Sequence, residues 1–266
     1  MFHKPPREPM SNLIRLENKS AVITGSASGI GAAMAYRFAE AGADLHLVDV
    51  NPSGLEAVKA EVKRLGVNVS LHVVDLADKS QIDGLWSELG DTDVLVNNAG
   101  IYPSKDFLDL DQEFMRRVMD VNLSQTLWMS QHFIRRNMGR GGVIVNVSSI
   151  EAILPFKDGM THYAVSKSGV IALTRGLARD YGKHGFRVNA LIPGGVVTPG
   201  TISVAKEITK LKLDLIKTGY DFKTRLPMGR AGSPDEVARV AVVLASDVSS
   251  YMTGALIPVD GGFLSS

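Results

Sequence analysis

The sequence predicts a single doubly wound α/β domain built on a parallel sheet, and three observations lead there. Short runs rich in Val, Ile and Leu alternate with longer amphipathic stretches almost from end to end. Strand, helix, strand repeated in this way requires crossovers, which make neighbouring strands parallel. The short runs are apolar almost throughout, as expected where helices cover both faces of the sheet. No repeat, low-complexity tract or linker interrupts the pattern. Residues 18–266 therefore read as one domain, preceded by a loosely held extension, 1–17.

In order, the expected strands are 20–24, 44–48, 69–74, 94–96, 142–147, 187–192 and 255–259. Gly, Asp or Asn often marks their ends. The expected helices are 29–41, 52–65, 79–89, 112–138, 161–182 and 234–245, each with an apolar stripe at helical spacing. One region breaks the rhythm: residues 194–227 give no strand signal and contain a Lys/Leu-rich helical patch at 203–217. A long insertion in a compact domain is commonly functional. This one follows the sixth expected strand, so a substrate loop or lid over the ligand edge of the sheet is expected there.

Composition narrows the function classes. Lys and Arg total 29 against 28 Asp and Glu, a net charge of +1 that leaves no basic footprint for nucleic acid. There are no cysteines, which excludes disulfides, thiolate metal sites and a catalytic thiol and fits a reducing cytoplasm. The six histidines show no metal-ligand spacing, so no metal is expected. No apolar run reaches the ~18 residues of a membrane span, and the first residues lack the apolar stretch of a signal peptide. The expectation is a cytoplasmic protein acting on a small molecule.

Chemistry begins at Thr24-Gly25-Ser26-Ala27-Ser28-Gly29-Ile30-Gly31, directly after the first strand and opening the first long helix. Glycines let the backbone turn tightly and approach a pyrophosphate, and the helix N-terminus offers free N–H groups and a positive dipole end. Asp49 ends the second strand, eighteen residues beyond Gly31. A carboxylate there accepts from adenosine ribose hydroxyls and repels a 2′-phosphate. No Arg or Lys occupies 26–28, 50 or 51, so NAD is expected over NADP. Asp75, with Leu76 beside it, ends the third strand and is expected near the adenine or as a helix cap.

Further motifs occur in a fixed order: Asn97-Asn98-Ala99-Gly100, Asn122, Ser149, Tyr163-Ala-Val-Ser-Lys167 and Pro193-Gly194-Gly-Val196-Val-Thr198. Together with the glycine turn, they resemble the short-chain dehydrogenase/reductase family over residues 19–263. The resemblance implies a Rossmann-like seven-stranded parallel sheet and a homotetramer or homodimer. It also implies contact of Asn98, Val196 and Thr198 with the cofactor, and an Asn122 that supports a water-linked proton path to Lys167.

Tyr163 and Lys167 lie four apart on an expected helix and so share a face. A free phenol has a pKa near ~10, and a nearby cation favours the phenolate. The pair is thus an acid/base device, with Lys167 also expected on the nicotinamide ribose. Ser149 follows the fifth strand and is expected to hold the substrate oxygen, with Ser148 the weaker claimant. Ser149 precedes Tyr163 by fourteen positions, one more than the resemblance leads one to expect, so 156–160 is expected to bulge. Glu151 and His162 are the further candidates for substrate contact.

Three functions fit this set. The first is an NAD-dependent oxidoreductase interconverting a secondary alcohol and a ketone or lactone, on a small polar substrate such as a sugar, polyol or hydroxy acid. The second is a 3-oxoacyl-carrier-protein reductase, for which Arg135, Arg136 and Arg140 offer a basic surface but Asp49 disfavours the usual NADPH. The third is a silent dinucleotide-binding scaffold. That reading predicts a damaged catalytic set, whereas Asn122, Ser149, Tyr163 and Lys167 are all present.

Overall fold

Seven short apolar runs form seven strands: β1 Ser20–Thr24, β2 Asp44–Asp49, β3 Val69–Val73, β4 Val94–Asn97, β5 Gly142–Val147, β6 Phe186–Pro193 and β7 Leu256–Val259. Every pairing in this computed structural model is parallel, in the order β3-β2-β1-β4-β5-β6-β7. The structure describes residues 8–198 and 224–266. The expected helical patch at 203–217, and most of the expected lid, lie outside the described residues.

Alternating side chains feed two cores. Ala21, Ile23, Val94 and Val96 face one cluster with Met34 and Phe38, whereas Val22 and Leu95 face the other with Trp86 and Phe133. This is the period of two that a strand buried on both faces requires. The first cluster is covered by α2 (Gly29–Glu40), α3 (Pro52–Val62) and α8 (Pro234–Ala245). The second is covered by α4 (Lys79–Glu88), α6 (Gln125–Asn137) and α7 (Thr161–Tyr181). A fully buried side chain such as Phe38 contributes about 1.5–3 kcal/mol of transfer free energy.

Polar residues stop and start these helices. Asn51, Asp78 and Asp111 each accept a backbone N–H at the N-terminus of α3, α4 and α5 (Gln112–Met119). Ser233 and Glu236 form a reciprocal capping box on α8. Within the expected extension, α1 (Met10–Leu13) buries nothing, yet Leu16 is 1% exposed and joins the core, its N–H bonded to the Ala41 carbonyl at 2.7 Å.

The expected continuous helix 112–138 is corrected by the structure. Between α5 and α6 the chain passes through a π-helical stretch, Asp120–Ser124. A widened turn of this kind is a local insertion in the ladder and often serves a site. Here it carries Asn122 inward, fully buried.

Candidate active site

The sheet order reverses direction between β1 and β4, and ligands in open α/β sheets bind outside the carboxyl ends at such a switch point. A cavity of about 550 Å³ lies there. Of the residues expected to bind cofactor, Gly25, Ser28, Gly29, Ile30, Asp49, Asn98, Tyr163, Lys167, Val196 and Thr198 line it.

The glycine turn is dictated by sterics. Gly25 has φ +63, and a Cβ there would stand 2.8 Å from the Ala99 Cα. A Cβ on Gly31 would stand 2.0 Å from the Gly25 carbonyl oxygen, so Gly31 lets α2 sit down on β1 rather than touching the cavity itself. Unlike α3, α4, α5 and α8, α2 has no side-chain cap from its N-cap residue, Ser28. Its leading N–H groups are thus offered to the cavity, the arrangement that receives a pyrophosphate. Asn98 ties the turn to β4, its Nδ2 donating to the Thr24 and Gly25 carbonyls at 3.0 and 3.1 Å.

Asp49 closes β2 with its carboxylate steered by backbone: Oδ2 accepts from Ala27 N–H and Oδ1 from Asn51 N–H, both at 3.0 Å. Among the described residues, the cations lining the cavity are Lys157 and Lys167, both in the chain following β5 and away from Asp49 in sequence. Asp75 and Leu76 follow β3 at the same edge of the sheet but do not line the cavity. The Asp75 carboxylate accepts from Ala77 N–H, and Leu76 is buried in the core. Beyond β6, Val196 and Thr198 are held by the segment before α8: Val197 N–H bonds the Gly232 carbonyl, and Gly232 N–H bonds that of Gly195.

At the other end, Ser149, Tyr163 and Lys167 converge. The Ser149 hydroxyl hydrogen-bonds the Tyr163 phenol and accepts from Glu151 N–H at 3.2 Å. Ser148 also lines the cavity, but its hydroxyl donates to the Lys167 carbonyl at 2.8 Å and fixes α7 against β5. The Lys167 ammonium donates to the Val147 carbonyl at 2.9 Å and lies 5.9 Å from the centre of the Tyr163 ring. Burial pushes the Lys167 ammonium down to about 8. Burial also pushes the phenol of Tyr163 above its ordinary value, with Ser149 opposing and the charges of Glu151 and Tyr102 adding to the rise. Desolvation thus outweighs the expected lowering by Lys167, whose ammonium is turned towards a carbonyl.

Asn122 does not reach the cavity. Its Oδ1 accepts from Ile101 N–H at 2.8 Å, and its Nδ2 donates to the Ile101 carbonyl at 2.9 Å and to Ser166 Oγ at 3.1 Å. Ser166 in turn donates to the Tyr163 carbonyl at 2.7 Å. The π-helical turn therefore braces both the loop after β4 and the first turn of α7. His162 also lies outside the cavity lining. It is 1% exposed, its Nε2 donates to the Pro103 carbonyl at 2.7 Å, and its ring packs edge-on against Phe114. Adjacent helical residues differ by about 100° in direction, so neighbouring Tyr163 in sequence points His162 away from it.

Glu151 lines the cavity at 5% exposure. Its Oε2 accepts from Phe156 N–H at 3.3 Å, whereas Oε1 is buried without a partner, and burial raises the carboxyl above its ordinary range. Sequence reasoning did not single out Tyr102, Phe156, Lys157 or Met160, which complete this end. The one-residue excess between Ser149 and Tyr163 was the available signal. It falls in an irregular loop, pinned where Lys105 N–H bonds the Gly159 carbonyl, and that loop supplies Phe156 and Lys157.

A family model described as enoyl-(acyl carrier protein) reductase matches residues 25–264. The chain belongs to the short-chain dehydrogenase/reductase family. It is 37% identical to a 3-oxoacyl-(acyl-carrier-protein) reductase of Thermotoga maritima, covering 94% of this chain and 100% of that protein. It is likewise 37% identical to an L-tagatose-forming galactitol 2-dehydrogenase of Cereibacter sphaeroides, covering 94% and 97%. Among solved structures, a dehydrogenase from Beutenbergia cavernae with NADP bound at low occupancy superposes with TM-score 0.88 at 34% identity, covering 96% of this chain and 100% of that one. This short-chain dehydrogenase/reductase is an oxidoreductase of the alcohol and ketone class, and its cofactor is a nicotinamide dinucleotide. Among the described residues, no helix is long and apolar enough to cross a membrane, and no cluster of three or more His, Cys, Asp or Glu side chains could hold a metal ion.

Proposed function

We propose that this short-chain dehydrogenase/reductase is an NAD-preferring dehydrogenase that interconverts a secondary alcohol and a ketone or lactone on a small polar, hydroxyl-bearing substrate. Asp49 carries the cofactor reading. Its carboxylate lines the cavity beside the glycine turn, held by two backbone N–H groups, with lone pairs left for ribose hydroxyls and repulsion for a 2′-phosphate. The unpartnered Oε1 of Glu151 supports a polar substrate, because a buried oxygen without a partner costs about 1–3 kcal/mol that a substrate hydroxyl relieves.

The uncapped α2 terminus, the glycine cradle and Asp49 fit a dinucleotide, which supplies the hydride acceptor for oxidation or the donor for reduction. Tyr163 Oη takes the proton of the substrate hydroxyl in oxidation and returns it to the carbonyl oxygen in reduction. The Ser149 hydroxyl holds that oxygen beside the phenol. Lys167 supplies positive charge to the phenolate and donors to the nicotinamide ribose. Val196 and Thr198, which line the cavity beyond β6, would meet the carboxamide of that dinucleotide. Asn122 acts through Ile101 and Ser166 as a positioning residue. The chain works in the cytoplasm as a homotetramer or homodimer.

A carrier-linked 3-oxoacyl reductase is the second reading, supported by the Thermotoga relative. Arg136 and Arg140, which suggested a carrier surface, donate to the carbonyls of Trp86, Leu89, Gly90 and Thr92 at the amino edge of the sheet, opposite the cavity. The deciding experiment screens sugars, polyols, hydroxy acids and 3-oxoacyl thioesters by NADH fluorescence, with NADP(H) in parallel. Turnover of a polyhydroxy alcohol with NAD supports the proposal; preference for NADP, or for the thioesters, refutes it.

A further inference from the structure

The catalytic cavity holds two charged side chains that hydride transfer does not use, Glu151 and Lys157. They reach it from the ends of one loop: Glu151 from the 3-10 turn Ile150–Ala152 that follows Ser149, Lys157 from the irregular stretch before α7. Glu151 is 5% exposed and Lys157 half-buried, so neither is an ordinary solvated surface charge. They sense each other electrostatically, but among the described residues they form no ion pair, and Glu151 Oε1 is buried without a hydrogen-bond partner. Among the described residues, the Lys157 ammonium has no hydrogen-bond or ion-pair partner either. A buried acceptor and a half-buried ammonium left open in the same cavity are costly as structure and useful as recognition.

Resting on the proposed function, we propose that Lys157 and Glu151 select a polyhydroxy carboxylate, an aldonate rather than a neutral sugar or alditol, with Lys157 pairing the carboxylate and Glu151 bonding a hydroxyl. A single ammonium balances a single carboxylate charge. Desolvation weakens the bare ammonium, and a substrate anion would restore its preference for the charged form. The same burial favours the protonated carboxyl of Glu151, which can donate as well as accept beside an anionic ligand. Phosphate esters, with more charge and more acceptor oxygens, call for the further donors of an Arg cluster or helix terminus, and the α2 terminus is assigned to the dinucleotide.

The test compares aldonates with alditols of the same chain length and configuration, as kcat/KM with NAD and as thermal stabilisation of the NADH complex. The full chain should favour the aldonate in both. K157M should cut the aldonate-to-alditol ratio by roughly tenfold or more, as expected for removal of one member of a desolvated charge pair, and K157R should recover part of it. An unchanged ratio in K157M overturns the inference, as does a larger shift with sugar phosphates than with aldonates. The thermal readout needs no turnover, so it separates the two ideas. Alditols oxidised with NAD without any aldonate preference leave the proposed function standing and sink this one. Aldonate binding that depends on Lys157, without turnover by NAD, does the reverse.

Discussion

The Lys167 ammonium lies 5.9 Å from the centre of the Tyr163 ring and spends a hydrogen bond on the Val147 carbonyl. Both groups are moved by burial in the direction of their uncharged forms, the lysine to about 8. A depressed lysine costs stability wherever the ammonium is charged in the native state. The unfolded chain binds more protons between pH 8 and 10.5, so this cost is full below 8 and disappears as pH rises towards 10.5. K167M should therefore lose turnover by about 10²–10⁴-fold yet gain roughly 3 kcal/mol at pH 7. Urea unfolding of both proteins at pH 7 and pH 10 checks this, because the advantage should shrink at the higher pH. Equal stability at pH 7 would contradict it.

Ser149 and Ser148 divide two jobs that sequence alone leaves adjacent. S149A should lower kcat by about 10²-fold or more while leaving the melting temperature nearly unchanged. S148A removes the bond to the Lys167 carbonyl and should act mainly on stability, by about 1 kcal/mol. Steady-state kinetics and thermal melts of the two variants side by side distinguish these outcomes.

Asp49 sets cofactor choice. D49S removes the repulsion against a 2′-phosphate and should raise the NADP-to-NAD ratio of kcat/KM by roughly tenfold or more. A ratio that does not move would take the adenosine ribose away from Asp49.

A second titrating pair lies far from the chemistry. His46 Nδ1 and His72 Nε2 are 3.2 Å apart on β2 and β3, and burial lowers both below the ordinary 6.5, with His72 adding to the effect on His46. The unfolded chain then binds more protons as pH falls below about 6.5, so stability is lost on the acid side. H72Q should flatten the fall in unfolding free energy between pH 7 and pH 5. An unaltered slope would show that the pair is not its source.

Much of this was legible in the residues. All seven strands fall within two residues of their expected bounds, because fully buried parallel strands write continuous apolar runs. The glycine turn, Asp49, Asn98, Ser149, Tyr163 and Lys167 meet in one cavity as their order implied. The interruption at Asp120–Ser124 was not legible, since one widened turn leaves the apolar stripe on either side intact. Lys157 and Tyr102 come from irregular loops, where no periodicity records direction. His162 shows the converse: proximity in sequence to Tyr163 placed it on a different face of α7.

The account turns on Tyr163 as the group that moves the substrate proton. The most direct measurement is NADH formation from NAD by the full chain and by Y163F across one panel of polyhydroxy alcohols, with NADH affinity followed by fluorescence. Y163F should bind NADH as the parent does and turn over about 10²–10⁴-fold more slowly. A Y163F variant that keeps its turnover within a few-fold of the parent would contradict the assignment.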